Sequence, residues 1–259
     1  KLIDEIDNLS INSEYQISVI IVNDASNHDR QDKDKILNNI HSIKVLNMKV
    51  NQGHARCIAT GLKYIYEKEE FDYVIPMDGD GEDRPEEVKL LIEEAKNYPD
   101  TVITANRVKR SEGLVFKIGY QIHKYLTYIF TGQNIKFGNF TCLTKSAVKK
   151  MINEATTWNS FSGSLASLAK ERKSISSIRG IRYFGPSKMS YINLLKHSLS
   201  IISIFRKTVL IRSIIFLAVY LFLMFQYLSV ITLIPVGLIF IMIISIFYLS
   251  RRENMNELN

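Results

Sequence analysis

Several features that define other classes of protein are scarce in this chain of 259 residues. There are two cysteines, Cys57 and Cys142, and their wide separation fits neither a zinc knuckle nor a disulfide framework. There is one tryptophan, Trp158, and there are no internal repeats or low-complexity segments. A reduced compartment is therefore expected. The hydrophobic content of 46% is enough for a full core.

Charge is missing from one long stretch near the C-terminal end. Residues 213–250 contain no charged side chain, and a single helical crossing of a membrane needs only about 20 residues. Polar residues at 226–232 interrupt the stretch, so two membrane helices joined by a turn are predicted; one long tilted helix or a buried hairpin is the alternative. The flanking basic residues place both ends on the cytoplasmic side: Arg206, Lys207, Arg212, Arg251 and Arg252.

Acidic residues are scarce in the second part of the chain. Residues 1–100 hold 12 Lys and Arg against 21 Asp and Glu, whereas residues 101–259 hold 21 against 5. A basic segment suits nucleic acid or an anionic membrane surface. No recognised nucleic-acid-binding module is present, so a membrane partner is expected and a nucleic-acid partner is not.

Strand and helix patterns alternate through the first part of the chain. This alternation predicts an α/β fold with a mainly parallel sheet sandwiched by helices. The predicted order is an amphipathic helix (KLIDEIDNL), a strand at 17–22, a polar helix at about 31–40, a strand (IKVLNM), a helix from about residue 55, a strand (FDYVIP), a helix begun by Pro85 and a strand (TVITAN).

The second part begins with an apolar and aromatic helix, LVFKIGYQIHKYLTYIFTG, which suits a membrane interface as well as it suits a core. A strand near FGNFTCLT, a helix from about Lys145 and a strand ISSIRGIRYF are predicted next. The segment SYINLLKHSLSIISIFRK then predicts an amphipathic helix lying in the membrane interface, just before the first span.

Four carboxylates follow the strand FDYVIP within the short stretch MDGDGED. In an extended chain Asp78 and Asp80 point the same way, so they can hold one cation together. Oxygen ligands favour Mg²⁺ or Mn²⁺, which usually bind through one or two carboxylates plus substrate phosphates. A solvated acidic turn is the alternative. Asp83 is expected to cap the next helix, with Glu86 and Glu87 in its first turn.

Other polar residues also lie at the C-terminal ends of predicted strands, where ligands bind in open α/β sheets. Asp24 ends the first strand, and Asn106 with Arg107 ends the strand TVITAN. We expect them to share one crevice with the acidic stretch. His54 is interpreted as a surface residue at a helix start, with an approach to the ligand as the alternative.

Five segments, in this order, resemble the family 2 glycosyltransferases with the Rossmann-like GT-A fold: IVNDAS, NQGHARCIATGL, MDGDGEDRPEEV, a strand ending in NRVKR, and RYFGPSKMS before two terminal spans. Within this family the likeness is closest to polyprenyl-phosphate glycosyltransferases, such as dolichol-phosphate mannose synthases and bactoprenol glucosyltransferases. The resemblance implies a UDP- or GDP-sugar donor, a polyprenyl phosphate acceptor and a role in cell-envelope glycan biosynthesis, and it allows a homo-oligomer.

The resemblance also implies roles for individual residues. Asp24 would contact the base or ribose of the donor, while Asp78 and Asp80 would hold the metal and the diphosphate. Glu82 stands where the family pattern DxDxQDxP usually has Gln, and it is expected as a further metal ligand. Basic and polar residues are expected near phosphate groups, with solvated surface charge as the alternative: Arg107 for the donor, and Arg110, Arg182, Ser187 and Lys188 for the acceptor.

The resemblance divides the chain into a catalytic domain at 1–188, an interfacial helix at 189–208, two membrane helices at 209–250 and a cytoplasmic tail at 251–259. The family's first strand, with its Pro, Tyr, Asn pattern, has no counterpart, so the native N-terminus is expected to lie before Lys1. An integral membrane protein is predicted, with its catalytic domain on the cytoplasmic face of a bacterial inner membrane.

The nature of the acceptor depends on a residue type that is rare here. A sugar hydroxyl needs a carboxylate base, because an alcohol is a poor nucleophile near neutral pH. Between residues 136 and 191 the acids are Glu154 and Glu171, each among basic neighbours. A lipid phosphate is already anionic and needs no base. A glycan hydroxyl acceptor and a catalytically silent nucleotide-sugar-binding adaptor remain as alternatives.

Overall fold

A computed structural model describes residues 1–9, 15–26, 37–109, 114–185 and 191–254. Strands and helices alternate first, and helices follow. The strands are β1 (Ile17–Asn23), β2 (Ile40–Asn47), β3 (Tyr73–Val74), β4 (Val102–Lys109), β5 (Phe137–Thr144) and β6 (Arg172–Ile178). The helices are α1 (Leu2–Asp7), α2 (His54–Lys68), α3 (Glu86–Asn97), α4 (Leu114–Thr131), α5 (Lys145–Ile152), α6 (Ala155–Asn159), α7 (Phe161–Leu168), α8 (Tyr191–Ser203), α9 (Arg206–Met224) and α10 (Val230–Ser250).

The strands form two sheets, so the α/β class is confirmed. In the smaller sheet β1 runs parallel to β2, and the larger has the order β3-β5-β4-β6. The expected parallel pairing is found again between β4 and β6, but β5 runs antiparallel to both of its neighbours. The larger sheet is therefore mixed. A buried apolar strand pattern is the same in either direction, which is why the sequence did not reveal this reversal.

Helices cover both faces of the larger sheet because successive strand side chains point to opposite sides. On one face, Phe140 and Cys142 of β5 pack against Leu91 of α3. On the other, Leu143 of β5 packs with a cluster that includes Phe161 of α7. Burying a Leu or Phe side chain fully contributes about 1.5–3 kcal/mol, so these two clusters account for much of the stability of the domain.

Two predicted elements differ from the structure near the edges of the sheets. Most of the polar helix predicted at about 31–40 lies outside the described residues, and Ile40 already begins β2. The strand predicted through 184 ends at Ile178, and residues 179–185 continue without regular structure. This second difference matters, because the segment that leaves β6 turns back onto the acidic stretch.

The C-terminal part contains two apolar helices, as predicted. They cover Arg206–Tyr227, counting a last turn of 3-10 helix, and Val230–Ser250, and both are long and apolar enough to cross a membrane. Ser229 begins the second helix with a capping box to Thr232, which places the turn inside the predicted range 226–232. Each helix has only 11% of its most apolar stretch buried, so a buried core hairpin does not describe them.

Candidate functional site

The acidic loop, residues 78–83, lies just after the short strand β3 and before α3. Asp83 organises this loop from the inside: its Oδ2 accepts a hydrogen bond from the backbone N–H of Asp78 at 3.0 Å, and its Oδ1 pairs with Arg107 Nη2 at 2.9 Å. Burial and the nearby charge of Asp78 raise the pKa of Asp83 to about 6. The expectation that Asp83 caps α3 is therefore wrong, because its oxygens bind the Asp78 N–H within the loop and Arg107 of β4 instead.

Asp78 faces the start of α2. Its Oδ1 lies 2.7 Å from His54 Nε2, and Asn139 Nδ2 of β5 lies 3.1 Å from the same histidine nitrogen. Burial opposes the charge on Asp78, but the hydrogen bond and charge of His54 and the charge of Arg107 hold its pKa below the usual range. In return, Asp78 raises the pKa of His54 against the effect of burial. Three chain segments thus meet at one carboxylate.

Asp80 faces the segment that leaves β6. We call residues 179–185 the arginine strap, because Arg179 and Arg182 reach from it to the acidic loop. Arg182 Nη2 lies 2.7 Å from Asp80 Oδ2, and Arg182 Nε lies 2.7 Å from Glu82 Oε1. Arg179 pairs with the other oxygen of Glu82. The strap is thereby fastened to the loop by charge-assisted hydrogen bonds, which are stronger than neutral ones.

Backbone contacts also hold the strap on the acidic loop. The N–H of Gly180 donates to Glu82 O at 2.8 Å, and the N–H of Tyr183 donates to Asp80 O at 2.9 Å. Gly81 has a φ of +90°, and a Cβ added there would meet the Tyr183 ring at 2.9 Å. A Cβ on Gly180 would lie 2.2 Å from Gly81 O. Glycine is required at both positions for this close approach.

Asp24 lies at the end of β1, beside the loop that begins α2. Its Oδ1 accepts from the N–H of Gln52 at 2.7 Å, and its Oδ2 accepts from the N–H of Gly53 at 2.9 Å. Because His54 follows Gly53 directly, the same loop connects Asp24 to Asp78. Burial and the charge of Asp24 raise the pKa of the nearby Cys57 thiol to about 12, so this cysteine is not a nucleophile.

Comparison with protein-family models identifies the fold around this site. The model described as glycosyl transferase family 2 matches residues 2–154, which is more than half of the chain. The chain belongs to this family. None of the curated proteins compared with it matches. Membership implies glycosyltransferase chemistry with a nucleotide-sugar donor, and the matched range contains the acidic loop but not the arginine strap.

The structure of this family 2 glycosyltransferase brings together most of the site residues predicted from sequence. Two sets of ion pairs and hydrogen bonds meet on the acidic loop: Asp83 joins Asp78 to Arg107, and Arg182 joins Asp80 to Glu82, so that the loop backbone unites them in one network. Asp24 is connected to that network through the loop at 52–54. Three further predicted residues, Arg110, Ser187 and Lys188, lie outside the described residues.

Sequence reasoning missed three members of this network in the glycosyltransferase. His54 is a surface residue at a helix start, as interpreted, with its side chain 53% exposed, but its contact with Asp78 was not predicted. Asn139 lies in the middle of an apolar strand pattern, where a polar side chain is itself a signal. Arg179 was not identified as a site residue because the strand was predicted to continue past Ile178. Of the three residues, Asn139 is the one whose signal was readable in the sequence.

Two of the predicted metal ligands fit a divalent cation. The side chains of Asp78 and Asp80 are 25% and 33% exposed, and carboxylate oxygens suit Mg²⁺ or Mn²⁺. Asp80 would have to share its oxygens with a cation, because Oδ2 pairs with Arg182 and Oδ1 accepts from the N–H of Glu82 at 3.0 Å. Glu82 fits less well, because its side chain is 9% exposed and each of its oxygens is paired with an arginine. In the described parts of the chain, no group of three or more His, Cys, Asp or Glu side chains could hold a metal.

Proposed function

We propose that this protein is a membrane-bound, metal-dependent, inverting glycosyltransferase. It moves one sugar from a UDP- or GDP-sugar to a polyprenyl phosphate of the dolichyl or undecaprenyl type. Asp24 contacts the nucleoside, and Asp78 and Asp80 hold the metal and the diphosphate, with Glu82 available as a further ligand only if its arginines move. The activity belongs to cell-envelope glycan biosynthesis, and a homo-oligomer is compatible with it.

The observation that carries this proposal is the path of the chain after β6. The arginine strap contacts Asp80 and Glu82, and α8 and the two apolar helices follow it in sequence. The residues that neutralise the acidic loop are thus joined by a short connection to the part of the chain suited to lipid. An acceptor with an anionic head and a lipid tail matches the arginines of the strap at one end of this connection and the apolar helices at the other.

The chemistry of the acceptor supports a phosphate over a hydroxyl. Glu154 stands at the N-terminal end of α6 and Glu171 is exposed before β6, and neither has a hydrogen bond or ion pair with a described residue of the acidic loop. Asp83 has a raised pKa, but its side chain is 2% exposed and cannot reach an acceptor. A phosphate oxygen attacks without losing a proton, so it needs none of these groups.

The site residues have separable roles in such a transfer. A bound divalent cation would neutralise charge on the departing diphosphate, which is usually the largest catalytic contribution in such reactions. Arg182 offers a second positive group beside Asp80, and direct attack on the anomeric carbon inverts it. His54 keeps Asp78 ionised and oriented.

We assign residues 1–188 to the catalytic domain, 189–208 to an interfacial helix, 209–250 to the membrane helices and 251–259 to a tail. The catalytic domain and the tail lie on the cytoplasmic face of a bacterial inner membrane.

One assay tests the proposal. The full chain in lipid vesicles is incubated with UDP- and GDP-sugars, polyprenyl phosphate and Mg²⁺ or Mn²⁺, and the lipid product is measured. Asp80→Asn and a chelator should each abolish transfer, whereas Asp72→Asn, which removes an exposed carboxylate before the site, should not.

Other outcomes point elsewhere. Transfer to a glycan hydroxyl but not to lipid phosphate would favour the alternative enzyme, a glycosyltransferase that acts on a glycan. Binding of a nucleotide sugar without any transfer would favour a silent adaptor. Lipid transfer that survives both Asp80→Asn and the chelator would overturn the metal assignment.

A further inference from the structure

The outer side of the C-terminal half of α4 is mostly apolar, unlike that of a helix that faces water. Its buried side chains include Phe130 and two threonines, Thr127 and Thr131, each threonine being 3% exposed. On its outer side Tyr125, Tyr128 and Ile129 are each more than half exposed. A helix on the surface of a soluble domain buries its apolar face and exposes its polar face. The outer face of α4 therefore suits surroundings less polar than water.

This half of α4 is fixed to the first apolar helix by hydrogen bonds. Arg212 of α9 donates from Nη1 to the carbonyl oxygens of Tyr128 and Ile129, at 3.3 and 2.8 Å. These carbonyls belong to the last turn of α4, where the helical hydrogen bonds run out; Tyr128 O also accepts from the N–H of Gly132 at 2.8 Å. Gly132 follows with a φ of +75°, and a Cβ there would meet Arg212 Nη2 at 2.8 Å. The end of α4 and Arg212 are thus in direct contact.

Packing brings α4 to the same level along the apolar helices. Phe130 of α4 forms one buried cluster with Ile202 of α8, Val209 of α9 and Ile246 of α10. Val209 and Arg212 lie in the first two turns of α9, and the uncharged stretch begins at the next residue, Ser213. The exposed face of α4 therefore lies at the depth where the chain changes from charged to fully apolar.

We infer that α4 is a membrane-contact helix, whose face of Tyr125, Tyr128 and Ile129 lies in the headgroup layer of the bilayer beside the first span. Tyrosine is suited to this layer because its ring is apolar and its hydroxyl stays hydrated. The sequence of α4 contains no acidic residue, and Lys124 precedes the exposed face, which also suits anionic headgroups. This inference rests on the membrane part of the proposed function and not on the choice of sugar or acceptor.

Tryptophan fluorescence in vesicles tests the contact without any assay of activity. Tyr125→Trp and Tyr128→Trp are placed singly in the full chain, in vesicles of phosphatidylcholine and phosphatidylglycerol with or without brominated acyl chains, which quench tryptophan on contact. Phe222→Trp, on the exposed side of α9, is the positive control. Leu90→Trp, exposed on α3, is the matched negative control. The buried Trp158 gives the same background in every variant and reports that each one is folded.

We expect the brominated chains to remove about half of the fluorescence that the new tryptophan adds at 125 or 128, and little of that added at 90. The loss at 125 and 128 should be greater when the bromines are near the headgroup end of the chain. Quenching at 222 without quenching at 125 or 128 would overturn the inference. A second copy of the chain that covered this face of α4 would give that result. Absence of quenching at 222 would overturn the membrane helices themselves, and the inference with them, which separates the two failures.

Discussion

Arg182 joins Asp80 to Glu82, with Nη2 2.7 Å from the aspartate and Nε 2.7 Å from the glutamate. One guanidinium thus contacts the exposed carboxylate proposed for the donor and the buried one behind it. Arg182 therefore connects the arginine strap to two carboxylates of the acidic loop. Its planar, forked shape is what allows both contacts, and lysine has no equivalent.

Replacing Arg182 with lysine should therefore impair the reaction while keeping the charge. A single ammonium cannot satisfy both carboxylates, so we expect kcat/KM for sugar transfer to fall by about 10- to 100-fold, or roughly 1.4–2.7 kcal/mol. Arg252→Lys, an exposed position after α10, is the matched control and should change little. Equal rates in the two variants would show that the fork of Arg182 is not used.

The pair of His54 and Asp78 should make stability depend on pH near neutrality. Asp78 raises the pKa of His54 above its usual 6.5 in the folded protein. The stabilisation is therefore complete below about pH 6.5 and is lost as the pH rises through the raised value. Without added metal, the thermal midpoint should fall across this range more in the parent than in His54→Gln. His41→Gln, an exposed histidine on β2, should behave as the parent does.

Gly180 should tolerate no side chain. A Cβ there would overlap Gly81 O, which is backbone and cannot turn aside, so Gly180→Ala should displace the strap at a cost of about 1–3 kcal/mol. Limited proteolysis should then cut within 179–185 faster than in the parent. Gly138→Ala in β5 is the control, because a Cβ there meets nothing within 4 Å. Identical cleavage in both variants would contradict the described contact.

The two cysteines should be unreactive in the folded protein. Burial raises the pKa of Cys142 to about 12, and burial with the charge of Asp24 does the same for Cys57. Thiolate is then a negligible fraction at pH 8, so alkylation by iodoacetamide should require unfolding. Mass spectrometry should find no adduct on either residue before a denaturant is added. Rapid labelling of Cys57 alone would mean that the start of α2 opens without global unfolding.

Much of the fold could be predicted from sequence because local patterns determine it. The apolar strand at 17–22, the helix started by Pro85 and the strand FGNFTCLT are all present within a few residues of the predicted bounds. The direction of β5 could not be predicted, because a buried strand reads alike in both directions. The end of β6 could not be predicted either, since the apolar residues of the strap, Ile181 and Phe184, continue a strand pattern although they are exposed.

The site was predictable in its residues more than in its contacts. The carboxylates of the acidic loop were selected because Asp78 and Asp80 can point the same way directly after a buried strand, and the loop does meet Arg107 and Arg182. Their partners depended on how the chain folds back. Asp83 was expected at a helix end, but Arg107 of β4 offered it an ion pair inside the loop. Glu82 was expected at a metal, but Arg179 and Arg182 surround it.

The buried pair of Asn159 and Ser203 has a practical consequence. The Asn159 amide donates to the Ser203 hydroxyl at 2.9 Å, and Phe130 packs nearby on Val209 and Ile246. A shortened protein that stops before α8 keeps Asn159 and Phe130 but loses the groups that cover them. Such a fragment would expose an interior surface to water, so attempts to obtain a freely soluble enzyme by trimming its apolar end should yield aggregates. Purification and crystallisation should succeed instead with the complete chain in detergent or lipid.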